Sequence, residues 1–468
     1  MTELINLITV KQNWETKISD KKIVKKWRQE LANQNVNDAV LDLVIDLLKN
    51  YKNIETKKYS DYDDDYEWVL DINIKPSEYS IVNECKCKCN VCQGEEFKDD
   101  SEYDPDSDDE TNTDNDEKIT CTCIPAKLIA KRENFLKGFI SQTNNLINPA
   151  IKKIFKQNVA KLQKSIPIDY HPGSNNLVVD LVHPSLYCYV KGITPTVKPI
   201  DPNILFQWLP AEFSIKKGCV SINSYINNLD MIDHIDLYVS IANIFEKFVP
   251  KFENILQVLY QKGHTKAYNP LSNCQVIVKL ADTVLTPESP ASQLGSWHLE
   301  GLAHEKIIAT GIYYYEMTNI SQSYLNFRTT VGDPLDIDYP QNCDEYVQTH
   351  YGYTGEPDDE WDNTGSIIEL GRIATNEDMC LVFPNFIQHQ VSEFALIDKK
   401  KPGCRKILVF FLIDPQSRIL STANVKPQQS TMSLADAKIY RELLMFQRKY
   451  EITDQNTFFE RGWSLCEH

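Results

Sequence analysis

No apolar run in this chain of 468 residues approaches the roughly 18 consecutive residues that a membrane-spanning helix needs. The segment Met1-Thr2-Glu3-Leu4-Ile5-Asn6 lacks a basic stretch followed by an apolar one. No export signal is therefore expected, and the cytoplasm or nucleus is the expected location. A basic surplus is missing too: 49 Lys and Arg face 66 Asp and Glu, a net charge of −17. That speaks against broad electrostatic capture of nucleic acid. The acid is unevenly spread. Between Gln93 and Glu117, thirteen Asp and Glu accompany one Lys, a local −12 that leaves only −5 elsewhere. Internal repeats are absent.

The mass of 53.9 kDa exceeds one ordinary core, and 42% hydrophobic content is ample for packing. Residues 1–124 read as helices and a strand, interrupted by the solvated acidic insertion at about 93–117. In Val36 to Leu48, apolar residues recur at helical steps, with Asp38 near the start, and Glu67 to Ile74 alternates like a strand. A helical middle region spans 125–269, with helices over about 125–164 and 233–262. In the second, Leu237, Ile241, Ile244 and Phe248 mark one face.

From 270 to 425 the character changes to short runs of Val, Ile, Tyr and Phe between Gly, Pro, Asn and Asp. Gln275 to Leu280, Ile307 to Glu316, Ser366 to Ile368, Met379 to Phe383 and Ile407 to Ile413 suggest an antiparallel barrel or jelly roll. A last helix is expected in 426–468, capped by Ser433, with Leu434, Ala437, Leu443 and Leu444 on its packed side. The fold class expected is α+β.

Within the strand-rich region stands Ser296-Trp297-His298-Leu299-Glu300-Gly301. On an extended segment His298 and Glu300 share a face, because strand side chains alternate. His389 follows 91 positions later, after the Phe383-Pro384-Asn385 turn, and completes two imidazoles and one carboxylate. That donor set leaves coordination positions open and is the one used by non-heme Fe(II) oxygenases. A bare His-x-Glu pair is common, and the plainer reading is a core histidine beside a solvated glutamate. His304, six residues past His298, is a weaker ligand candidate because Gly301 is expected to break the strand.

An oxygenase of this kind needs an electron-rich co-substrate such as 2-oxoglutarate, whose distal carboxylate requires a buried cation. Arg405, 16 positions after His389, is the candidate, since its planar fork accepts a carboxylate bidentately. Lys406 is the neighbouring alternative, and alternation forbids both pointing inward. Tyr313 and Tyr315 share one face of their strand and could offer hydroxyls to the same carboxylate. His171, His183, His234, His264 and His350 show no partner spacing and read as structural or solvated.

Several blocks together resemble the family called domain of unknown function 4246. They are Gln275 to Leu280 with Gly295 to Gly301, Ala309 to Tyr315, Phe383 to His389 with Pro402 to Leu408, and the tail Asp414-Pro415, Ser421 to Val425 and Pro427 to Gln429. The family is regarded as similar to 2-oxoglutarate/Fe(II) oxygenases. The resemblance implies a double-stranded β-helix with His298, Glu300 and His389 at the metal. Two features depart from the wider oxygenase pattern: Glu300 stands where Asp is commoner, and the step to Arg405 is slightly long.

Six of the thirteen cysteines fall in two short segments, Cys85, Cys87, Cys89 and Cys92, then Cys121 and Cys123. They are candidate ligands of a structural zinc at the base of the acidic insertion, or else reduced, unliganded thiols. The insertion itself reads as a solvated loop, with docking of a basic protein as its functional alternative. Glu356 to Asp362 falls between the halves of the metal motif, as a solvated lid or a contact for a cationic substrate. The function expected is an Fe(II)- and 2-oxoglutarate-dependent oxygenase using O2, a hydroxylase of a protein side chain or small molecule. A catalytically idle barrel serving as a zinc-stapled interaction module, and a cupin-type metal enzyme without 2-oxoglutarate, are the alternatives. The residues do not name the primary substrate.

Overall fold

The computed structural model describes residues 2–32, 38–51, 132, 134–262, 269–330, 353–354, 363–365, 367–460 and 462–464. The acidic tract, the strand at 67–74, the six clustered cysteines (Cys85, Cys87, Cys89, Cys92, Cys121 and Cys123) and the loop 356–362 lie outside the described residues. The chain divides into two compact units. One comprises Met1–Ile72, Phe139–Phe327 and Arg372–Phe458, the other Asn73–Gly138, Arg328–Gly371 and Phe459–His468.

Four helices open the first unit: α1 (Thr2–Thr9), α2 (Trp14–Lys17), α3 (Lys21–Ala32) and α4 (Asp38–Tyr51). In α4 the residues that recur at helical steps, Leu41, Val44, Leu47 and Leu48 among them, are buried. The helix expected over 125–164 is broken by strand β1 (Ser141–Asn144). Helix α5 (Pro149–Ser165) starts afresh because Asn148 accepts a hydrogen bond from the Ala150 N–H at 2.8 Å and Pro149 occupies the first turn.

Short strands follow: β2 (Val178–Val182), β3 (Tyr189–Val190), β4 (Phe206–Gln207), β5 (Ala211–Lys216) and β6 (Cys219–Ile222). Helix α6 (Ile235–Lys262) buries Leu237, Ile241, Ile244 and Phe248 as its periodicity predicts. Its phenylalanines press on the sheet so closely that a Cβ at Gly311 would lie 2.8 Å from Phe252. No side chain larger than hydrogen fits there without a shift.

The barrel strands are β7 (Asn273–Leu285), β8 (Ile307–Thr318), β9 (Ser323–Thr330), β10 (Tyr353–Thr354), β11 (Asn363–Gly365), β12 (Ile367–Thr375), β13 (Met379–Pro384), β14 (Gln388–Val391) and β15 (Gly403–Ile413). The larger sheet runs β1-β13-β8-β15-β7-β5-β6, with β2 also on β7. The second sheet places β9 between β12 and β14, and an antiparallel bridge joins His298 to His389 on β14. From β7 onward the chain passes back and forth between the sheets, which is the double-stranded β-helix. The fold is α+β.

Helix α7 (Leu434–Phe459) closes the unit. Ser433 caps it, accepting from the Asp436 N–H at 3.1 Å while its hydroxyl donates to the Asp436 carboxylate. Ala437, Leu443 and Leu444 are buried, whereas Leu434, expected on the packed side, is exposed. Within the second unit β10 pairs with the start of β12, and β11 with β16 (Gly462–Ser464). None of the described cysteines forms a disulfide. Among the described residues no helix is long and apolar enough to cross a membrane.

Candidate metal centre

The bridge between the two sheet segments builds the centre. His298 N–H donates to the His389 carbonyl at 3.2 Å, and His389 N–H returns the bond at 3.1 Å. The chains approach tightly upstream, where a Cβ at Gly295 would stand 3.2 Å from the Val391 nitrogen. Glu300 is held through its backbone: its N–H donates to Asn385 Oδ1 at 2.8 Å, and Asn385 Nδ2 donates to the Glu300 and Ile307 carbonyls at 2.9 and 3.1 Å. The Phe383-Pro384-Asn385 turn thus fixes the middle candidate donor as well as delivering His389.

Gly301 ends the extended segment at φ +80, a conformation that favours glycine. The following turn carries His304 away to donate to the Phe206 carbonyl at 2.9 Å, so it is not among the ligands. Its neighbour Glu305 is fully buried. The Glu305 carboxylate accepts from the Trp208 and Leu302 N–H groups and from Arg448, which stacks on the Trp208 ring.

Side chains of His298, Glu300 and His389 converge, with one donor atom from each lying within 4.8 Å of the others. Glu300 Oε1 stands 3.4 Å from His389 Nε2 and 3.9 Å from His298 Nε2. Donors around a metal bound at about 2.1 Å stand roughly 3 Å apart, so the group needs only a small contraction. His298 Nδ1–H donates to the Ser296 carbonyl at 2.8 Å, which leaves the Nε2 lone pair facing the carboxylate. Burial, followed by the neighbouring His389, pushes His298 down to about 4, so its ring is neutral at physiological pH, as a ligand must be. Burial alone would raise the Glu300 carboxyl, yet the hydrogen bond from His389 and the adjacent imidazoles hold it down at about 2. His389 Nδ1 is buried without a hydrogen-bond partner among the described residues, and its ring meets Phe383 edge-on at 4.9 Å. Two imidazoles and one ionised carboxylate on one wall suit a divalent cation.

Arg405 and Lys406 diverge as alternation requires. Lys406 turns to the helix-covered face, 3.4 Å from Glu316 and 3.9 Å from Asp282. Arg405 turns to the other face, along with Phe411, which stacks on Trp208. The Arg405 guanidinium lies 4.9 Å from the centre of the Phe394 ring, and its Nε and Nη1 have no hydrogen-bond partner among the described residues. Burial pushes it below its ordinary range.

The tyrosines need a correction. Tyr313 and Tyr315 do share a face, but it is the helix-covered one. Tyr313 donates to Asp378 at 3.1 Å, and Tyr315 donates to Asp282 at 2.9 Å and packs against Phe155 of α5. A bulge on β8 shifts register here, pairing Ile407 with Tyr314 and Lys406 with Glu316. Tyr314, between them, is the tyrosine that interacts with Arg405.

A cavity of about 610 Å³ opens at the centre. Besides His298 and Glu300, its wall includes residues that the sequence did not single out: Lys279, Trp208 and, from α7, Met445 and Arg448. His171 and His183, set aside from sequence, line it too. The lone lysine in the apolar run Val276-Ile277-Val278-Lys279-Leu280 was the legible signal for the first of these.

Strand order and donor set define the class: a double-stranded β-helix protein with a two-histidine, one-carboxylate centre. The chain belongs to the family described as Protein of unknown function (DUF4246), whose model matches residues 131–203, 203–271 and 260–435. The model of that family's N-terminal domain matches residues 1–30. No curated protein matches the chain. Among solved structures, the Fe(II)/α-ketoglutarate-dependent dioxygenase TqaL is similar at 12% identity, with 65% of this chain and 91% of that one covered and a TM-score of 0.31. A prolyl hydroxylase from Trichoplax adhaerens, in complex with a hypoxia inducible factor peptide, aligns at 10% identity over 64% and 96%, TM-score 0.26. A Pseudomonas putida prolyl-4-hydroxylase aligns at 7% identity over 61% and 98%, TM-score 0.24.

Proposed function

We propose that the protein is an Fe(II)- and 2-oxoglutarate-dependent oxygenase, a hydroxylase of a protein side chain or small molecule. The observation that carries the reading is the pairing of two things on one barrel: the open His298–Glu300–His389 donor set, and a buried Arg405 whose Nε and Nη1 have no hydrogen-bond partner among the described residues. His298, Glu300 and His389 would hold the metal. Arg405 would receive the distal carboxylate of 2-oxoglutarate, which supplies the charge and acceptors its guanidinium lacks. Iron held there supplies activation of O2, with 2-oxoglutarate consumed to succinate and CO2. The chain's own contribution is positional. Ser296 sets the His298 tautomer, Asn385 sets Glu300, and the apolar wall of Phe383 and Phe394 excludes water.

Anaerobic addition of Fe(II) and 2-oxoglutarate to the full chain should give a weak visible charge-transfer band, and aerobic incubation should release succinate. Both should vanish in His298→Ala and His389→Ala. Absence of band and succinate, with iron binding unchanged in the two variants, overturns the reading. Iron binding that is indifferent to Arg405→Ala, without succinate, indicates instead a cupin-type metal enzyme that uses no 2-oxoglutarate.

A further inference from the structure

Besides His298 and Glu300, the same cavity is lined by His171, His183 and Lys279. Behind His171 stands Asp180, whose side chain is 1% exposed and whose Oδ2 lies 2.9 Å from His171 Nδ1. Its other oxygen, Oδ1, has no hydrogen-bond partner among the described residues. The His171 and His183 rings are 4.9 Å apart. Donor atoms of His171, Asp180 and His183 fall within 4.8 Å of one another, a spacing that a second metal ion could accept.

Proton positions and charge argue for the opposite sign of ligand. His183 Nδ1 accepts from the Ser185 N–H at 3.2 Å, so the ring proton sits on Nε2, which donates and has no lone pair for a cation. His171 Nδ1–H donates to Asp180, so the ring offers an oxyanion a proton from Nε2 as the imidazolium paired with that carboxylate. The surroundings are cationic. After burial, the charges of Lys279, His171, Arg441 and Arg448 all push the His183 imidazole well below its ordinary range. Arg448 is neutralised by Glu305 and Arg441 by Asp169. Lys279 has neither an ion pair nor a hydrogen bond among the described residues.

Charge bookkeeping at the loaded centre leads to the same place. A divalent metal with Glu300, together with Arg405, balances the two negative charges of 2-oxoglutarate. His171 as imidazolium pairs with Asp180, and the half-buried Lys279 is left over as a charge without an ion pair among the described residues.

We propose that His171, His183 and Lys279 form an oxyanion subsite that takes a carboxylate or phosphate group of the primary substrate. That group would then hold the rest of the substrate over the His298–Glu300–His389 centre. Assigning the anion to a substrate rests on the oxygenase reading; its binding does not.

The test is calorimetric titration of inorganic phosphate, and separately of acetate, into the full chain. It is run metal-free and again saturated with Mn(II) and 2-oxoglutarate, which occupy the triad's open positions. One equivalent should bind in both forms. Lys279→Met and His171→Gln should each weaken it at least tenfold, with Mn(II) affinity by electron paramagnetic resonance and the melting temperature unchanged. Bound Mn(II) should also speed relaxation of the phosphate 31P signal, placing the anion in the same cavity. Either preference, phosphate or acetate, supports the proposal and identifies the source of the group. Equal anion affinity in wild type and both variants overturns it. So does anion binding that 2-oxoglutarate abolishes, or a second equivalent of Mn(II) that disappears in His183→Ala. Failure of the triad to bind Mn(II) sinks the oxygenase reading alone, since the metal-free titration stands by itself.

Discussion

Replacing Arg405 with methionine should move stability and co-substrate binding in opposite directions. Arg405 is 8% exposed, and its Nε and Nη1 carry three N–H groups without acceptors among the described residues. Each unmade bond to a buried donor costs about 1–3 kcal/mol. Exchanging a poorly compensated buried ion for an apolar side chain of similar length typically gains about 1–4 kcal/mol. Against this stands the loss of the contact with Phe394, worth roughly 0.5–2 kcal/mol. The metal-free Arg405→Met chain should therefore be about 2 kcal/mol more stable, a rise in melting temperature of roughly 2–3 °C for a chain of this length. With Mn(II) at the centre, the same variant should lose the buried partner of the distal carboxylate, at about 2–5 kcal/mol. That corresponds to a 2-oxoglutarate affinity weaker by about 30-fold to a few thousand-fold. Thermal unfolding measures the first and calorimetry on the Mn(II)-loaded chain the second. A variant that melts lower than wild type and binds 2-oxoglutarate within about threefold of it would refute the reasoning.

Asn385→Ala removes the three hydrogen bonds that fix the backbone of Glu300 and Ile307. It should weaken Mn(II) binding by about 10- to 100-fold, as loss of a ligand-orienting group does; an unchanged dissociation constant would show that Glu300 orients itself. Asn385→Asp should be no better at neutral pH, because its carboxylate would face two carbonyls that now accept from Nδ2. His183 should make stability depend on pH. Its folded pKa is depressed, so above about pH 6.5 neither state holds the proton and stability is flat. Below that, the unfolded chain takes up a proton that the folded ring refuses, and stability falls by up to about 1.4 kcal/mol per pH unit. Urea midpoints of the metal-free chain from pH 7.5 to 5 should show His183→Gln declining less steeply, by about one proton.

The barrel was legible where strands are long and the pattern is local. Ile307 to Glu316 and Ile407 to Ile413 became the centre of the larger sheet, as β8 and β15. The short strands β2, β5 and β6 escaped, since four to six residues carry little periodicity, and β1 escaped because Ser-Gln-Thr-Asn has no apolar residue. Leu434 was misread for a related reason: the first turn of a helix is set by its cap, and the buried stripe begins only at Ala437.

For the site, alternation states which residues share a face but not which face is the inside. The face that receives α5 and α6 becomes the outside of the barrel, and that follows from helices far upstream in sequence. Arg405 and Lys406 could thus be told apart only as a pair. What decides between them is Asp282 and Glu316, which wait for a lysine on the helix-covered side. Tyr313 and Tyr315 fell on that same side, where the half-buried Asp378 and the buried Asp282 take their hydroxyls. Lys279 illustrates the converse. A lysine in the interior of an apolar strand must reach either water or an anion, and on the helix-covered face it would have found the carboxylates that hold Lys406. On the cavity face no carboxylate among the described residues pairs with it, although its charge is felt by His298, Glu300 and His183. Half-buried and without an ion pair there, Lys279 offers its charge to an anion that enters the cavity, so its position is evidence about what the cavity receives.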